Sequence, residues 1–345
     1  MENVVDDDLG KISRAEFIPW DLLRNKKLLV TGGTGLIGST LIKALLFADK
    51  AKHLGLQVLA LVRDPNKARR MLGKESEQLH FLIGNVEQLP EISGDVDYII
   101  HGASPTASLF FVEHPVETIR IAVEGTSKLL ELARQKRVTG FIYLSSMEVY
   151  GAPHDDALIP ESQGCTLDAM AVRSCYPIAK RLCENLCASY ANEYGLPAKV
   201  VRLAQTFGPG VEKGDKRVFA EFARDAINGT DIVLQTAGTS KRMYLYTADA
   251  VSAILLVLLK GKAGEAYNAG NPATYCSIGE MAHMVAREIG GNCIKVRISS
   301  KTDDVNRKFP PPHHLNLDIH KLLQLGWRSD ITLKEMYLRM MDGMK

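Results

Sequence analysis

The sequence predicts an α/β protein with a doubly wound parallel sheet and a smaller, interrupted C-terminal domain. Short apolar runs of strand length alternate with longer segments whose apolar residues recur at helical spacing. This alternation is typical of parallel sheets, because their strands are covered by helices on both faces and read as continuous apolar runs. The predicted strands of this sheet are residues 26–31, 57–62, 80–83, 97–101, 140–145 and 198–203.

Composition narrows the functional classes. The chain has 345 residues, of which 46% are hydrophobic and 24% charged, and its net charge is only +2. A balanced charge gives no reason to expect a nucleic-acid or anionic-membrane partner, and the longest apolar run, residues 253–259, is far too short to span a bilayer. The six cysteines form no CxxC pair and have no histidine partners at zinc-like spacing. We therefore expect free thiols, no metal site and a cytoplasmic protein.

A glycine-rich stretch, residues 31–38, follows the first predicted strand and opens the first predicted helix. In this context Gly32 permits a tight turn, Gly35 lets the backbone approach a pyrophosphate, and Gly38 lets helix and strand pack closely. The phosphates would bind the free N–H groups at the helix N-terminus. The stretch therefore predicts a dinucleotide site in a Rossmann-like domain.

Predicted strands and helices alternate along the chain until about residue 208, where this alternation ends. The acidic run at residues 6–8 suggests a mobile start, whereas Ile18 and Trp20 suggest that the rest of this segment docks on the domain. The further predicted elements are helices at 39–50, 115–134, 175–194, 218–228, 248–259 and 278–289, a closing helix from 333, and strands at 232–234 and 242–246. The predicted organisation is an N-terminal extension (1–25), a dinucleotide-binding domain (26–205 and 240–268) and a substrate-binding domain (206–239 and 269–345).

Three side chains form a candidate proton-transfer device. Tyr176 and Lys180 are four residues apart on a predicted helix and therefore share a face. Ser146 follows the fifth predicted strand, at the sheet edge where active-site residues gather. A free tyrosine has a pKa near 10, and a nearby ammonium is expected to lower it. Downstream of a nucleotide-binding turn, this set indicates proton transfer beside a nicotinamide.

With these motifs the chain resembles the extended short-chain dehydrogenase/reductase superfamily, most closely its nucleotide-sugar epimerase, dehydratase and decarboxylase branch. The resemblance covers about residues 26–330 and rests on the glycine turn and on six later motifs. The matching stretches are residues 31–38, 101–103, 144–151, 176–180, 202–209, 242–249 and 267–270.

The resemblance implies a role for each matching residue. Ser146 and Tyr176 would act at the reacting hydroxyl, and Lys180 would bind the nicotinamide ribose. Gln205 falls at a substrate-binding position, and Arg242 at the position of an arginine that binds the nucleotide diphosphate. The implied cofactor surface consists of Gly32, Gly35, Leu36, Ile37, Gly38, Arg63, Asn85, Val86, Gly102, Ala103, Ser104, Tyr176 and Lys180. A nucleotide-sugar substrate and a homodimer are the implied partners.

The cofactor choice rests on the end of the second strand. NAD-using relatives usually carry an acidic residue there, whereas this chain has Arg63 followed by Asp64. Arg63 could meet a 2′-phosphate, which makes NADP plausible, while Asp64 keeps NAD open.

The reaction type rests on Met147 and Glu148. The resemblance implies that Tyr176 takes a sugar hydroxyl proton while hydride passes to the nicotinamide, giving a transient 4-keto sugar. Glu148 is the candidate for a second proton transfer, or else a structural carboxylate. Dehydration needs a second acid, and Met147 cannot supply it. We therefore place epimerisation first and decarboxylation of a uronic acid second. Net reduction by NADPH and a non-catalytic, dinucleotide-binding scaffold follow as further hypotheses.

Overall fold

The computed structural model describes residues 4–106, 108–164, 167–299 and 312–344. The strands are β1 (Lys27–Thr31), β2 (Gln57–Val62), β3 (Leu79–Ile83), β4 (Tyr98–His101), β5 (Gly140–Ser146), β6 (Ala198–Leu203), β7 (Gln205–Phe207), β8 (Ile232–Leu234), β9 (Lys241–Tyr246), β10 (Ala266–Ala269), β11 (Asn271–Ser277), β12 (Val296–Ile298) and β13 (His314–Leu315). The α-helices are α1 (Val4–Arg14), α2 (Leu36–Lys52), α3 (Pro65–Leu72), α4 (Ser108–Glu113), α5 (Pro115–Lys136), α6 (Cys175–Tyr194), α7 (Val218–Asn228), α8 (Thr247–Lys260), α9 (Ile278–Met284), α10 (His320–Gln324) and α11 (Leu333–Asp342).

The main sheet has seven strands in the order β3-β2-β1-β4-β5-β6-β10, and all neighbours are parallel. This confirms the predicted doubly wound α/β fold. The strand order reverses between β1 and β4, where Thr31 lies opposite His101. A ligand crevice is expected beyond the carboxyl ends of the strands at such a switch point. The edge strand β10 was not predicted as a strand.

Alternate side chains of the strands enter two separate cores. Leu28 and Val30 of β1 belong to the core shared with α2 and α8. Leu29 faces the opposite core, together with Ile99 of β4 and the inner sides of α5 and α6. This alternation follows from the two-residue period of a strand and explains why β1 is apolar throughout.

Two smaller sheets lie outside the main one. The first contains β11, β9 and β13, with β7 also paired to β9, and the second contains β8 and β12. β9 thus belongs to a different sheet from β10, although both fall in the predicted dinucleotide-binding domain. The division of the chain into two domains stays a prediction.

The N-terminal segment is not a mobile start, and that expectation is wrong. The buried Asp8 accepts hydrogen bonds from Tyr246 Oη and from Arg339 Nη1, the latter at 3.0 Å. Ile18 and Trp20 are buried as expected. The acidic run therefore fastens α1 to β9 and α11 through buried, charge-assisted hydrogen bonds.

The described cysteines are free thiols, and Cys165 lies outside the described residues. Cys175, Cys183 and Cys187 are buried, whereas Cys293 is exposed. None of the helices in the described ranges has the length and apolar character that a membrane crossing requires.

Candidate active site

The glycine turn connects β1 to α2 and is tightly built. Gly32 has a φ of +75°, and a Cβ there would lie 2.9 Å from the backbone nitrogen of Ala103. A Cβ on Gly38 would lie only 2.2 Å from the carbonyl oxygen of Gly32. Since only glycine fits both positions, the backbone dictates these two residues. By contrast, a Cβ on Gly35 would stay 3.3 Å from its nearest neighbour.

The N-terminus of α2 is open to a ligand. The helix begins at Leu36, its N-cap is Gly35, and no side chain caps the first backbone N–H groups. The amides of Leu36 and Ile37 therefore have no intrahelical acceptor and are free to bind an anion, and their contact with a pyrophosphate stays a prediction.

A buried polar chain fixes the segment that follows β4. Thr31 Oγ1 lies 2.8 Å from His101 Nδ1 and accepts a 3.1 Å hydrogen bond from the Ala103 amide. His101 Nε2 lies 3.1 Å from Thr126 Oγ1 on α5. Burial lowers the pKa of His101 to about 3, so the imidazole is neutral and acts as a structural link. This link was not predicted, although Thr31, His101 and Ala103 lie within the matching motifs.

Gly102 and Ser104, two further residues of the predicted cofactor surface, differ in their surroundings. Gly102 packs closely on Leu144, which a Cβ would approach to 3.0 Å. Ser104 Oγ is buried and has no hydrogen-bond partner. An unpartnered buried hydroxyl in the crevice fits a ligand, because a buried polar group without a partner is unfavourable.

Asp64, considered above as the acidic residue of NAD-using relatives, caps a helix in the structure. Its carboxylate caps α3, accepting from the amides of Asn66 at 2.8 Å and Lys67 at 3.0 Å. The Lys67 amide contributes most to lowering the pKa of Asp64. Asp64 is therefore engaged as a helix cap, as Ser, Thr, Asp and Asn often are. Arg63 beside it is exposed, and its binding of a 2′-phosphate stays a prediction.

Asn85 and Val86 belong to the turn that follows β3. The amide oxygen of Asn85 accepts from the backbone amides of Glu87 at 2.9 Å and Gln88 at 2.7 Å, which fixes this turn. Val86 packs against Gly125 on α5, where a Cβ would approach it to 2.7 Å. Both residues have a structural role here, and their contact with a cofactor stays a prediction.

The structure brings Ser146, Tyr176 and Lys180 together at the carboxyl end of β5. Tyr176 is buried and hydrogen-bonded to Ser146. Lys180 Nζ lies 5.7 Å from the centre of the Tyr176 ring and donates a 2.8 Å hydrogen bond to the Leu144 carbonyl. The three residues predicted to take part in proton transfer therefore lie together in the fold.

The expected lowering of the Tyr176 pKa by Lys180 is wrong. Burial, followed by the negative charge of Glu148, raises the pKa of Tyr176 above its usual value. Burial also lowers the pKa of Lys180 to about 8, and its ammonium is directed at the Leu144 carbonyl. Desolvation of the phenolate therefore outweighs the attraction that the sequence suggested.

Two residues near the tyrosine were not predicted. Phe111 of α4 stacks on Tyr176 with ring centres 4.2 Å apart and an interplanar angle of 13°. Arg173 pairs with Glu148 at 3.0 Å, Nη2 to Oε2. Glu148 is thus an ion-paired carboxylate, with its side chain 36% exposed. Met147 is buried in the apolar core and offers no proton donor, as its chemistry implied.

Behind Ser146, a buried network fixes the strand ends. The Ser145 hydroxyl donates to Glu184, which also accepts from Arg202 at 2.7 Å. Arg202 donates to Tyr150 Oη at 2.8 Å, and Tyr150 donates to Asn268 Oδ1 at 2.7 Å. This network, in which only Glu184 lies outside the matching motifs, therefore supports the carboxyl ends of the strands.

Gln205 and Arg242 lie on the paired strands β7 and β9, where Gln205 is opposite Tyr244. Arg242 Nη2 is 3.2 Å from His313 Nε2, and its buried Nε has no hydrogen-bond partner. The Tyr244 hydroxyl is buried and unpartnered as well. An unpartnered guanidinium N–H matches the acceptor oxygens of a diphosphate. No role was predicted for Tyr244 or His313, and His313 lies outside the matching motifs.

Curated proteins similar to this chain are nucleotide-sugar enzymes. UDP-glucuronic acid decarboxylase 3 of Arabidopsis thaliana is 31% identical over 315 residues, which cover 90% of this chain and 86% of that protein. UDP-glucuronic acid decarboxylase 1 of Xenopus tropicalis is 30% identical over 312 residues, which cover 90% of this chain and 70% of that protein.

Solved structures share the fold. An epimerase of Methanothermobacter thermautotrophicus has a TM-score of 0.77 at 23% identity, covering 95% of both chains. The dTDP-glucose 4,6-dehydratase DesIV of Streptomyces venezuelae, solved with NAD and TYD bound, has a TM-score of 0.73 at 22% identity and covers 92% of this chain and 96% of its own.

The profile of the NAD dependent epimerase/dehydratase family matches residues 28–270, from β1 to just past the end of β10. This range contains the glycine turn, the buried link at His101 and the pocket of Tyr176. The predicted nicotinamide cofactor is confirmed as NAD at the level of the family. The chain therefore belongs to the NAD dependent epimerase/dehydratase family.

Proposed function

We propose that this protein decarboxylates a nucleotide-activated uronic acid, of the UDP-glucuronate type, through a transient 4-keto sugar. The observation that carries the proposal is the meeting of Ser146, Tyr176 and Lys180 in a chain whose α2 has an uncapped N-terminus. The choice of decarboxylation is supported by relatives over 90% of the chain that are UDP-glucuronic acid decarboxylases.

The chain's own residues fit the steps. The amides of Leu36 and Ile37 and the Ser104 hydroxyl would hold NAD, which when bound accepts a hydride and later returns it. Tyr176 Oη would take the proton of the C4 hydroxyl while Ser146 holds that oxygen. Arg242 would bind the diphosphate through its unpartnered Nε. In the resulting 4-keto sugar the C5–C6 bond would break, CO₂ would leave, and the electron pair of that bond would delocalise into the C4 carbonyl as an enolate. The enolate would take a proton from water at C5, and hydride return to C4 with the proton held by Tyr176 would restore the hydroxyl.

Epimerisation is the second candidate, and it is the reaction that the sequence alone favours. Met147 supports it, because its buried side chain cannot replace the hydroxyl that decarboxylases usually carry there. The relatives favour decarboxylation over epimerisation. The absence of a hydroxyl at Met147 does not prevent decarboxylation, because a 4-keto acid loses CO₂ without a base. The same Met147 argues against dehydration, which needs two proton-transferring groups.

The mass of the product decides between these reactions. We expect that purified enzyme incubated with UDP-glucuronate gives a UDP-pentose that has lost CO₂, detected by mass spectrometry. UDP-glucose serves as the matched substrate without a carboxylate and should remain at its original mass. A product of unchanged mass with a new sugar configuration by NMR would favour the epimerase, and loss of water from UDP-glucose would contradict the role given to Met147.

We also propose that the chain is a homodimer built on α5 and α6. These helices are in contact with each other and expose apolar side chains at Val116, Ile119 and Leu182, which an interface would remove from water. Light scattering should give twice the chain mass of 38.0 kDa. Ile119→Arg should shift the protein toward one chain per particle, whereas an unchanged mass would contradict this interface.

A further inference from the structure

A small cluster covers one side of the catalytic tyrosine. Phe111, Cys175 and Tyr176 form their own buried group, separate from the two main cores. The Phe111 ring lies flat on the Tyr176 ring, and Cys175 Sγ donates to the Phe111 carbonyl at 3.3 Å. The short helix α4 is thereby held against the tyrosine.

Arg173 completes this cluster from the turn that precedes α6. Its guanidinium carbon lies 4.9 Å from the centre of the Phe111 ring, within cation–π range. The same guanidinium pairs with Glu148 at 3.0 Å. Arg173 is thus fixed at two points, one on the ring that stacks on Tyr176 and one on the carboxylate next to the pocket.

The ion pair of Arg173 with Glu148 lies among several groups that affect the ionisation of Tyr176. The groups that face it are Lys180 and Cys175 on its own helix, Tyr143 on β5, Glu148 and Arg173. The charge of Glu148 raises the pKa of Tyr176, while the charge of Arg173 lowers it. A carboxylate beside a phenol disfavours the phenolate, and a neighbouring cation offsets that effect.

We propose that Arg173 is a positioning residue, whose guanidinium orients and neutralises Glu148 so that a carboxylate can lie beside Tyr176 without opposing formation of the phenolate. The inference rests on the proposed function only in taking Tyr176 as the base. Neither Ser146 nor Lys180 pairs with Glu148 in this way. Ser146 is uncharged, and the Lys180 ammonium donates its hydrogen bond to the Leu144 carbonyl.

The test measures the ionisation of Tyr176 itself in the NAD-loaded enzyme. Tyrosine labelled with ¹³C at Cζ is followed by NMR against pH, and the Tyr176 signal is assigned by its loss in Tyr176→Phe. Arg173→Gln should raise the pKa of Tyr176 by about half a unit to one unit, a modest shift because the pair is partly exposed. Arg173→Lys keeps the charge and should stay near the parent value.

A double variant separates charge balance from simple structural support. Arg173→Gln with Glu148→Gln removes both charges and should return the pKa of Tyr176 toward that of the parent enzyme. Arg134→Gln, which breaks a 2.7 Å pair with Glu131 within α5, is the matched control and should change nothing. An unchanged pKa in Arg173→Gln, or no recovery in the double variant, would overturn the role of Arg173 alone. A Tyr176 that never titrates in the folded parent enzyme would overturn the proposed function with it.

Discussion

Replacing Tyr176 by phenylalanine is expected to lower turnover by at least about 10²-fold, the low end of the contribution of a general base. The phenylalanine ring can keep the stack on Phe111, so the pocket and the packing of α6 should survive. Only the hydroxyl that bonds Ser146 and accepts the substrate proton is lost. NAD should therefore bind almost as before, as measured by calorimetry, while product formation falls.

Tyr190→Phe supplies the matched control for this substitution. Tyr190 is on the same helix, and its ring centre lies 5.2 Å from that of Tyr194, away from the pocket. We expect its turnover to equal that of the parent enzyme. Near-normal turnover in Tyr176→Phe would contradict the assignment of the base.

Substituting alanine at Gly38 is expected to weaken NAD binding on the order of 10²-fold. A Cβ there would lie 2.2 Å from the Gly32 carbonyl oxygen and 2.8 Å from its carbon, so the turn or α2 must move. Either movement displaces the amides of Leu36 and Ile37 from the pyrophosphate. A backbone clash of this kind costs a few kcal/mol, and each 1.4 kcal/mol is a factor of about ten in affinity.

Gly164→Ala is the control for the glycine variant, because a Cβ at that position meets nothing within 4 Å. Calorimetric titration with NAD should give the parent affinity for Gly164→Ala and the weakened affinity for Gly38→Ala. Parent-like affinity in Gly38→Ala would mean that the cofactor does not depend on this turn.

Local pattern was sufficient to predict most of the fold. The apolar run at 57–62 and the helical spacing at 175–194 coincide with β2 and α6, because burial on both sheet faces and on one helix face leaves a periodic trace. The edge strand β10 leaves a weaker trace. The expectation of a mobile start at residues 6–8 failed because the groups that hold this acidic run, on Tyr246 and Arg339, are far away in the chain.

The site was predictable only in part, for a related reason. Motif spacing predicted that Ser146, Tyr176 and Lys180 lie together, because the end of a strand and the face of a helix can be read from the sequence. Burial of the Tyr176 phenol is a property of the whole fold, and it reverses the expected direction of its pKa shift. Arg173 carries no motif of its own, and its position depends on Phe111 and Glu148 from two other segments.

The proposed decarboxylation requires that the sugar is oxidised at C4 only transiently and that the same hydride returns to it. UDP-glucuronate that carries deuterium at C4 is supplied to the enzyme, and the mass of the product is measured. We predict a UDP-pentose that has lost CO₂ and still carries deuterium at C4, with no accumulation of NADH. Product without deuterium at C4, together with an equal amount of deuterated NADH released to solution, would show that the hydride does not return to the sugar and would overturn the proposed function.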